Sequence, residues 1–263
     1  MTRSSNQRKL TLIPIHFPIV RTGENLSQVI CDRLADEDIR LQRGDLLAVA
    51  SKIVSTCEGR VVRLNDLPVT ARGKRLAHKW GIEPRLCAAV IKEADQILGG
   101  VKGFLLTVKD GVLTPNAGVD LKNSPPGHVT PWPVNPDRSA RQLRLNLERR
   151  YHKRIGVEIV DSHVTALRLG TVGLAIGVSG FVPVQDRRGV RDIFGRSIRV
   201  TQSNVADDLA AAAHLLMGES AERVGAVLIR GGTTRFHGVG NARIVQLKRK
   251  RCLIASNLRE RDI

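Results

Sequence analysis

The stretch NSPPGHVTPWPVNPD, Asn123 to Asp137, places five prolines in fifteen residues. Each proline fixes φ and removes a backbone donor, so the segment can be neither regular helix nor central strand. It divides the chain of 263 residues into an N-terminal part, 1–122, and a C-terminal part, 138–263. The reading is an ordered linker, 123–137, between two interleaved halves.

Hydrophobic spacing on either side of this segment sets the elements. Residues Leu10 to Val20 read as extended structure broken by Pro14 and Pro18. Apolar positions Leu26, Val29, Ile30, Leu34 and Ala35 recur at helical spacing and predict a helix over 24–36. LLAVA reads as a buried strand after a turn at Gly44-Asp45. Helices are expected over 71–80 and 84–97, with a hairpin over 99–113 turning at Asp110-Gly111. Beyond the linker come a basic amphipathic helix over 138–153, a strand VEIVDS, a Gly-dense run GTVGLAIGVSGF, a helix over 205–217 and a strand AVLIRGG. No repeating βαβ rhythm runs through them, so the fold class expected is α+β.

Composition narrows the function classes. Aromatic residues make up only 3%, so the core must rest on Val, Leu, Ile and Ala, and stacking platforms for single-stranded nucleic acid are disfavoured. The formal charge of +17 favours polyanionic partners: nucleic acid, an anionic membrane surface or phosphorylated small molecules. Cys31, Cys57, Cys87 and Cys252 show no zinc or disulfide spacing. No signal peptide or membrane span is legible, and the expected location is the cytoplasm.

Three carboxylates stand at the ends of elements: Asp120 closes the small-residue run TPNAGVD, Asp161 ends the strand VEIVD, and Glu219 follows the helix over 205–217. Oxygen ligands of this kind suit Mg²⁺ or Mn²⁺, although each is also a plausible cap or turn residue. Asn123 suits a base or a phosphate. Ser51-Lys52, after LLAVA, offers a hydroxyl and a point charge to a phosphate. There is no GxxxxGK[ST], and the glycine spacings of GVGNAR and VGLAIGVSG lack a surrounding strand–turn–helix unit. His128, His152 and His163 receive no role.

Taken together, GDLLAVASKIVSTCEGRVV, TPNAGVDLKNS and the long run from Asp161 to Glu219, with AIGVSG, RGVRDIFGR and VADDLAAAAHLLMG, resemble the coenzyme F420-0:γ-glutamyl ligases. The resemblance spans roughly Pro18 to Gly231. It implies a two-domain α+β subunit with mixed and antiparallel sheets, paired in an intertwined homodimer. It also implies a GTP-dependent reaction in which a carboxylate of a cofactor precursor is phosphorylated and the amine of L-glutamate then attacks the acyl phosphate. By the same resemblance, Asp120, Asp161, Ser162 and Glu219 fall on metal-binding positions for Mg²⁺ or Mn²⁺, with K⁺ a further candidate cation. Pro18, Ile19, Val20, Ser51, Lys52 and Asn123 fall on nucleotide-binding positions. Departures are present. Ser162 replaces a threonine and Glu219 a glutamine. A lysine position is Thr56, and the stretch HVTALRLGTV keeps Arg168 and Gly170 but loses an Arg, a Pro-Trp pair and a Gln. These losses leave a second reading open: a catalytically weakened relative that binds nucleotide or nucleic acid through its basic surface and its tail, VQLKRKRCLIASNLRERDI.

Overall fold

The computed structural model describes residues 9–231, 235, 236 and 241–258. The N-terminal part runs β1 (Leu10–His16), α1 (Leu26–Asp36), β2 (Leu46–Ala50), α2 (Ser51–Cys57), β3 (Val62–Arg63), α3 (Ala71–Trp80) and α4 (Pro84–Glu93). It continues with β4 (Gln96–Val101), β5 (Phe104–Lys109), β6 (Val112–Pro115) and β7 (His128–Val129). The remainder is α5 (Pro136–Tyr151), β8 (Gly156–Val164), β9 (Thr171–Ser179), β10 (Val184–Asp186), β11 (Gln202–Asn204), α6 (Val205–Met217) and β12 (Val224–Gly231). The fold is α+β, as the irregular order of elements predicts. Among the described residues no helix is long and apolar enough to cross a membrane.

The main sheet has the order β1-β12-β2-β8-β9. β2 and β8 pair in parallel at its centre, and the other neighbours are antiparallel. A parallel pair must be covered on both faces, and the sequence of β8 supplies two apolar sides. Val157 and Ile159 face one core with Leu143 and Leu147 of α5 and Ile30 and Leu34 of α1. Val160 faces the other, with Ala206, Leu209, Ala210 and Ala213 of α6. The period of two along a strand therefore sends Asp161 and Ser162 to opposite faces. These directions also fix where chemistry can gather. β1, β2 and β8 end at the same edge of the sheet, and β9 and β12 begin there.

A second unit packs α3 and α4 against β4-β5-β6 over a third core of Leu76, Cys87, Val90 and Leu105. Two expectations shift here. The helix expected to reach residue 97 stops at Glu93, and Gln96–Val101 become β4. The remaining apolar residues complete a three-stranded sheet instead of a lone hairpin, which would be marginal in water. At the chain start, Pro14 does not break β1, because β1 is an edge strand and an edge tolerates the missing donor.

The Pro-rich segment dips into the interior at residues 129–133 and is mostly exposed on either side of them. β7 pairs with β3, Thr130 forms a bridge with Asp120, and Trp132 is only 2% exposed. Pro136 then opens α5, and the Asn135 side chain accepts from the Arg138 N–H at 3.0 Å as its cap.

Candidate active site

The shared edge of the main sheet assembles the first group of polar side chains. Ala50 of β2 lies opposite Val160 of β8, so the next residues, Ser51 and Asp161, meet. The Ser51 hydroxyl donates to Asp161 Oδ1. Trp132 Nε1 donates to Asp161 Oδ2 at 2.7 Å. Burial pushes the Asp161 carboxyl up to about 6, and nearby Asp120 pushes the same way. Together these outweigh the opposing effects of the Ser51 and Trp132 bonds and of the Lys52 charge. A carboxyl at about 6 is still mostly ionised at neutral pH.

Asp120 is placed by its backbone. It exchanges two hydrogen bonds with Thr130, at 3.1 and 2.9 Å. Lys52 Nζ lies 2.5 Å from Asp120 Oδ2 and also donates to the Lys122 carbonyl. The small-residue run before Asp120 turns left-handed over three successive residues: Asn116, Ala117 and Gly118 have φ of 49°, 52° and 66°. Such backbone costs about 1–2 kcal/mol per non-glycine residue. Asn116 Oδ1 accepts from Leu105 N at 2.9 Å, and Thr107 Oγ1 accepts from Ala117 N at 2.8 Å, which holds the turn in place. Gly118 cannot carry a side chain, since a Cβ there would stand 2.2 Å from Trp132 Nε1. The run is small because an indole lies against it.

A second group forms on the other face of β8. Ser162 Oγ lies 3.2 Å from His214 Nε2. The same nitrogen is 2.8 Å from Glu219 Oε1, and Thr171 Oγ1 donates to that oxygen at 2.7 Å. Lys122 Nζ pairs with Glu219 Oε2. Burial pushes the Glu219 carboxyl up, but the bonds from Lys122, Ser162, Thr171 and His214 together hold it down at about 2. Asn123, at φ 58°, donates from Nδ2 to the Ser220 carbonyl at 2.8 Å. Pro18, Ile19 and Val20 follow β1 at the same edge, but β1 stands three strands away from β8, about 14 Å at ordinary strand spacing. Ile19 is exposed, and Val20 packs on the α1 side of the core.

The sequence-derived residues thus fall into two groups, Ser51–Lys52–Asp120–Asp161 and Ser162–Glu219. The loop from Asp120 to Asn123 spans both. Four further residues join them: Trp132, Lys122, Thr171 and His214. Trp132 carried no signal of its own in the sequence: among the described residues the other indole, Trp80, keeps its buried N–H without a hydrogen-bond partner. Lys122 and Thr171 sit in their group through contacts between distant segments, whereas His214 stands five residues before Glu219.

Among the described residues, no three His, Cys, Asp or Glu side chains form a metal site by themselves. The donor set still fits a hard divalent cation. Asp120 lies close enough to Asp161 to raise the cost of charging it, and a cationic ammonium already sits on Asp120. Mg²⁺ and Mn²⁺ favour one or two carboxylates, completed by waters and substrate phosphates, over an all-protein cage.

Comparison with known proteins bears on this edge of the sheet. The family model described as F420-0:γ-glutamyl ligase matches residues 14–231. The coenzyme F420:L-glutamate ligase of Methanopyrus kandleri is 39% identical over 230 residues, covering 86% of this chain and 89% of the relative. That of Methanocaldococcus jannaschii is 36% identical over 240 residues, 90% and 93% of the two chains. That of Archaeoglobus fulgidus is 36% identical over 224 residues, 85% and 88%. Both groups of side chains lie within the matched span, and the chain belongs to the F420-0:γ-glutamyl ligase family.

Proposed function

We propose that this protein is a GTP- and divalent-metal-dependent ligase that joins L-glutamate to a carboxylate of a phosphorylated cofactor precursor of the F420-0 type. The names of its relatives support the glutamate ligase activity. The observation that carries the site is the meeting of Asp120, Asp161, Ser51 and Lys52 at one sheet edge. Asp120 and Asp161 would hold one Mg²⁺ or Mn²⁺, with Ser162 and Glu219 as oxygen ligands for a second. Bound there, such an ion neutralises phosphate charge and polarises the transferring phosphoryl group.

The chain's own residues do the rest. Lys52 is a point charge on a short helix after β2 and is within reach of a terminal phosphate once Asp120 has another cation to pair with. Lys122 and Asn123 lie on the loop that spans both groups, and they position the nucleotide together with Ser51 and the segment Pro18–Val20. The acceptor carboxylate oxygen attacks the γ-phosphorus of GTP and GDP leaves. The glutamate amine nitrogen then attacks the acyl carbon; the new C–N bond replaces the C–O bond, phosphate departs and the amine loses a proton. Holding amine and acyl group together avoids a bimolecular encounter.

Two further parts belong to this reading. The β4-β5-β6 unit with α3 and α4 acts as a second domain beside the main sheet, and the subunit pairs with a second copy. Fully exposed Leu167 and Leu169 at the β8–β9 turn, with exposed Ile193, Phe194 and Val200 between β10 and β11, are apolar side chains that a partner subunit would cover.

The test is turnover. Incubation with GTP, Mn²⁺, L-glutamate and the F420-0 acid is expected to yield GDP, phosphate and the glutamyl amide in equal amounts. Asp120→Asn should lower kcat by at least about a hundredfold, the scale of losing a preorganised electrostatic group. GDP formation by Asp120→Asn at the parent's rate, or none by the parent with any acid, would sink the reading.

A further inference from the structure

Trp132 is held on three sides. Its carbonyl accepts from Arg60 Nε at 3.1 Å. Arg60 is anchored in turn by Glu93 at 2.7 Å, and Lys109 Nζ reaches the same Glu93 oxygen at 3.0 Å. Its ring lies on Gly118, where even a methyl group would collide with it. Its N–H ends 2.7 Å from Asp161 Oδ2, while Ser51 takes Oδ1. Each carboxylate oxygen therefore has one fixed donor and one remaining lone pair. The carboxylate cannot rotate without breaking both bonds.

We propose that Trp132 is the positioning residue of this site, its indole N–H fixing the Asp161 carboxylate in the orientation in which, with Asp120, it would hold a divalent cation. The inference rests on the metal reading of Asp120 and Asp161 given above. Hydrogen-bonded partners of a ligating carboxylate orient it, and their loss commonly costs tenfold to a hundredfold in metal affinity. The placement also makes the ring a reporter. The chain has two tryptophans, so Trp80→Phe leaves Trp132 as the sole source of tryptophan emission. Paramagnetic Mn²⁺ quenches indole emission at contact range, and diamagnetic Mg²⁺ does not.

The experiment uses the full chain with Mn²⁺ alone and then with Mn²⁺ and GTP, followed by calorimetry and by tryptophan emission. In the Trp80→Phe protein, Mn²⁺ is expected to quench the emission, and excess Mg²⁺ to restore it. Trp132→Phe keeps an aromatic ring, though a smaller one, and removes the donor, and should bind Mn²⁺ at least about tenfold more weakly. Mn²⁺ uptake without quenching, or equal affinity in Trp132→Phe, overturns the role of Trp132 and leaves the metal site standing. If Trp132→Phe does not fold, the quenching measurement decides alone. No Mn²⁺ uptake by the parent, or unchanged uptake by Asp161→Asn, overturns the site and the inference together.

Discussion

Glu158 stands three residues before Asp161 on β8 but belongs to the face that carries Val160. It is fully buried, and neither carboxylate oxygen has a hydrogen-bond partner. Its register neighbours are Ala48 on β2 and Val178 on β9, and the charged group that acts on it from α6 is Asp207. Burial first, and then Asp207, raise its carboxyl well above the usual range, so the folded protein keeps it protonated where the unfolded chain would ionise. Above the ordinary carboxyl value near 4.5, the native state binds the extra proton, and stability falls as pH rises toward the native value. Glu158→Gln, which copies the protonated form, should match the parent near pH 4 and become the more stable protein as pH rises. Each unit of displacement is worth about 1.4 kcal/mol, or about 2–4 °C in Tm per kcal/mol for a chain of this size. Thermal melts of both proteins at pH 4, 6 and 8 check it; parallel curves would refute it. Residues at this scale were legible when a single strand end named them. Ser51 and Lys52 directly follow the buried strand β2, whereas Asp161, expected to end VEIVD, lies inside β8, which continues to Val164 against β9; the strand pairing brings Ser51 and Asp161 together. The Trp132–Asp161 bond and the Lys122–Glu219 pair join segments 29 and 97 residues apart, and no local pattern announces such meetings.

The elements most clearly marked are those with their own punctuation. α3 begins at Ala71 after the Thr70 cap and ends at Gly81, which takes the left-handed conformation that stops a helix. The β5–β6 turn sits at Asp110-Gly111, as that dipeptide predicts, with both residues at positive φ. α4 lacks such a stop, so its apolar spacing runs on into β4 and hides the boundary at Glu93. The left-handed turn of Asn116, Ala117 and Gly118 was visible only as smallness, because what it accommodates comes from the far side of the Pro-rich segment. Gly118→Ala tests that turn. The backbone conformation alone costs about 1–2 kcal/mol, and the displaced indole adds to it. The variant should unfold at lower urea than the parent, with its tryptophan emission shifted toward that of a wetter ring. Stability equal to the parent's would mean that the turn does not depend on the missing side chain.

For the whole molecule, the sequence made the class legible through its mixed order of elements but not the order of strands, which depends on pairings such as β1 with β12 across the length of the chain. Leu167, Leu169 and Ile193 are fully or almost fully exposed among the described residues, and Phe194 is largely exposed with Arg196 over its ring at 5.4 Å. Light scattering behind size exclusion should give twice the 28.8 kDa subunit mass, and Leu169→Asp with Phe194→Asp should reduce it to one subunit with helix content retained. A parent that elutes as a single subunit at all concentrations would remove the dimer from the proposal. The two faces of β8 carry a last consequence. Because Asp161 and Ser162 serve opposite sides of one strand, inserting or deleting a single residue anywhere between Gly156 and Asp161 would hand each side chain to the other's neighbours and bury the wrong apolar row. The length of that strand is therefore tightly bound: within β8 letters can change far more readily than their number.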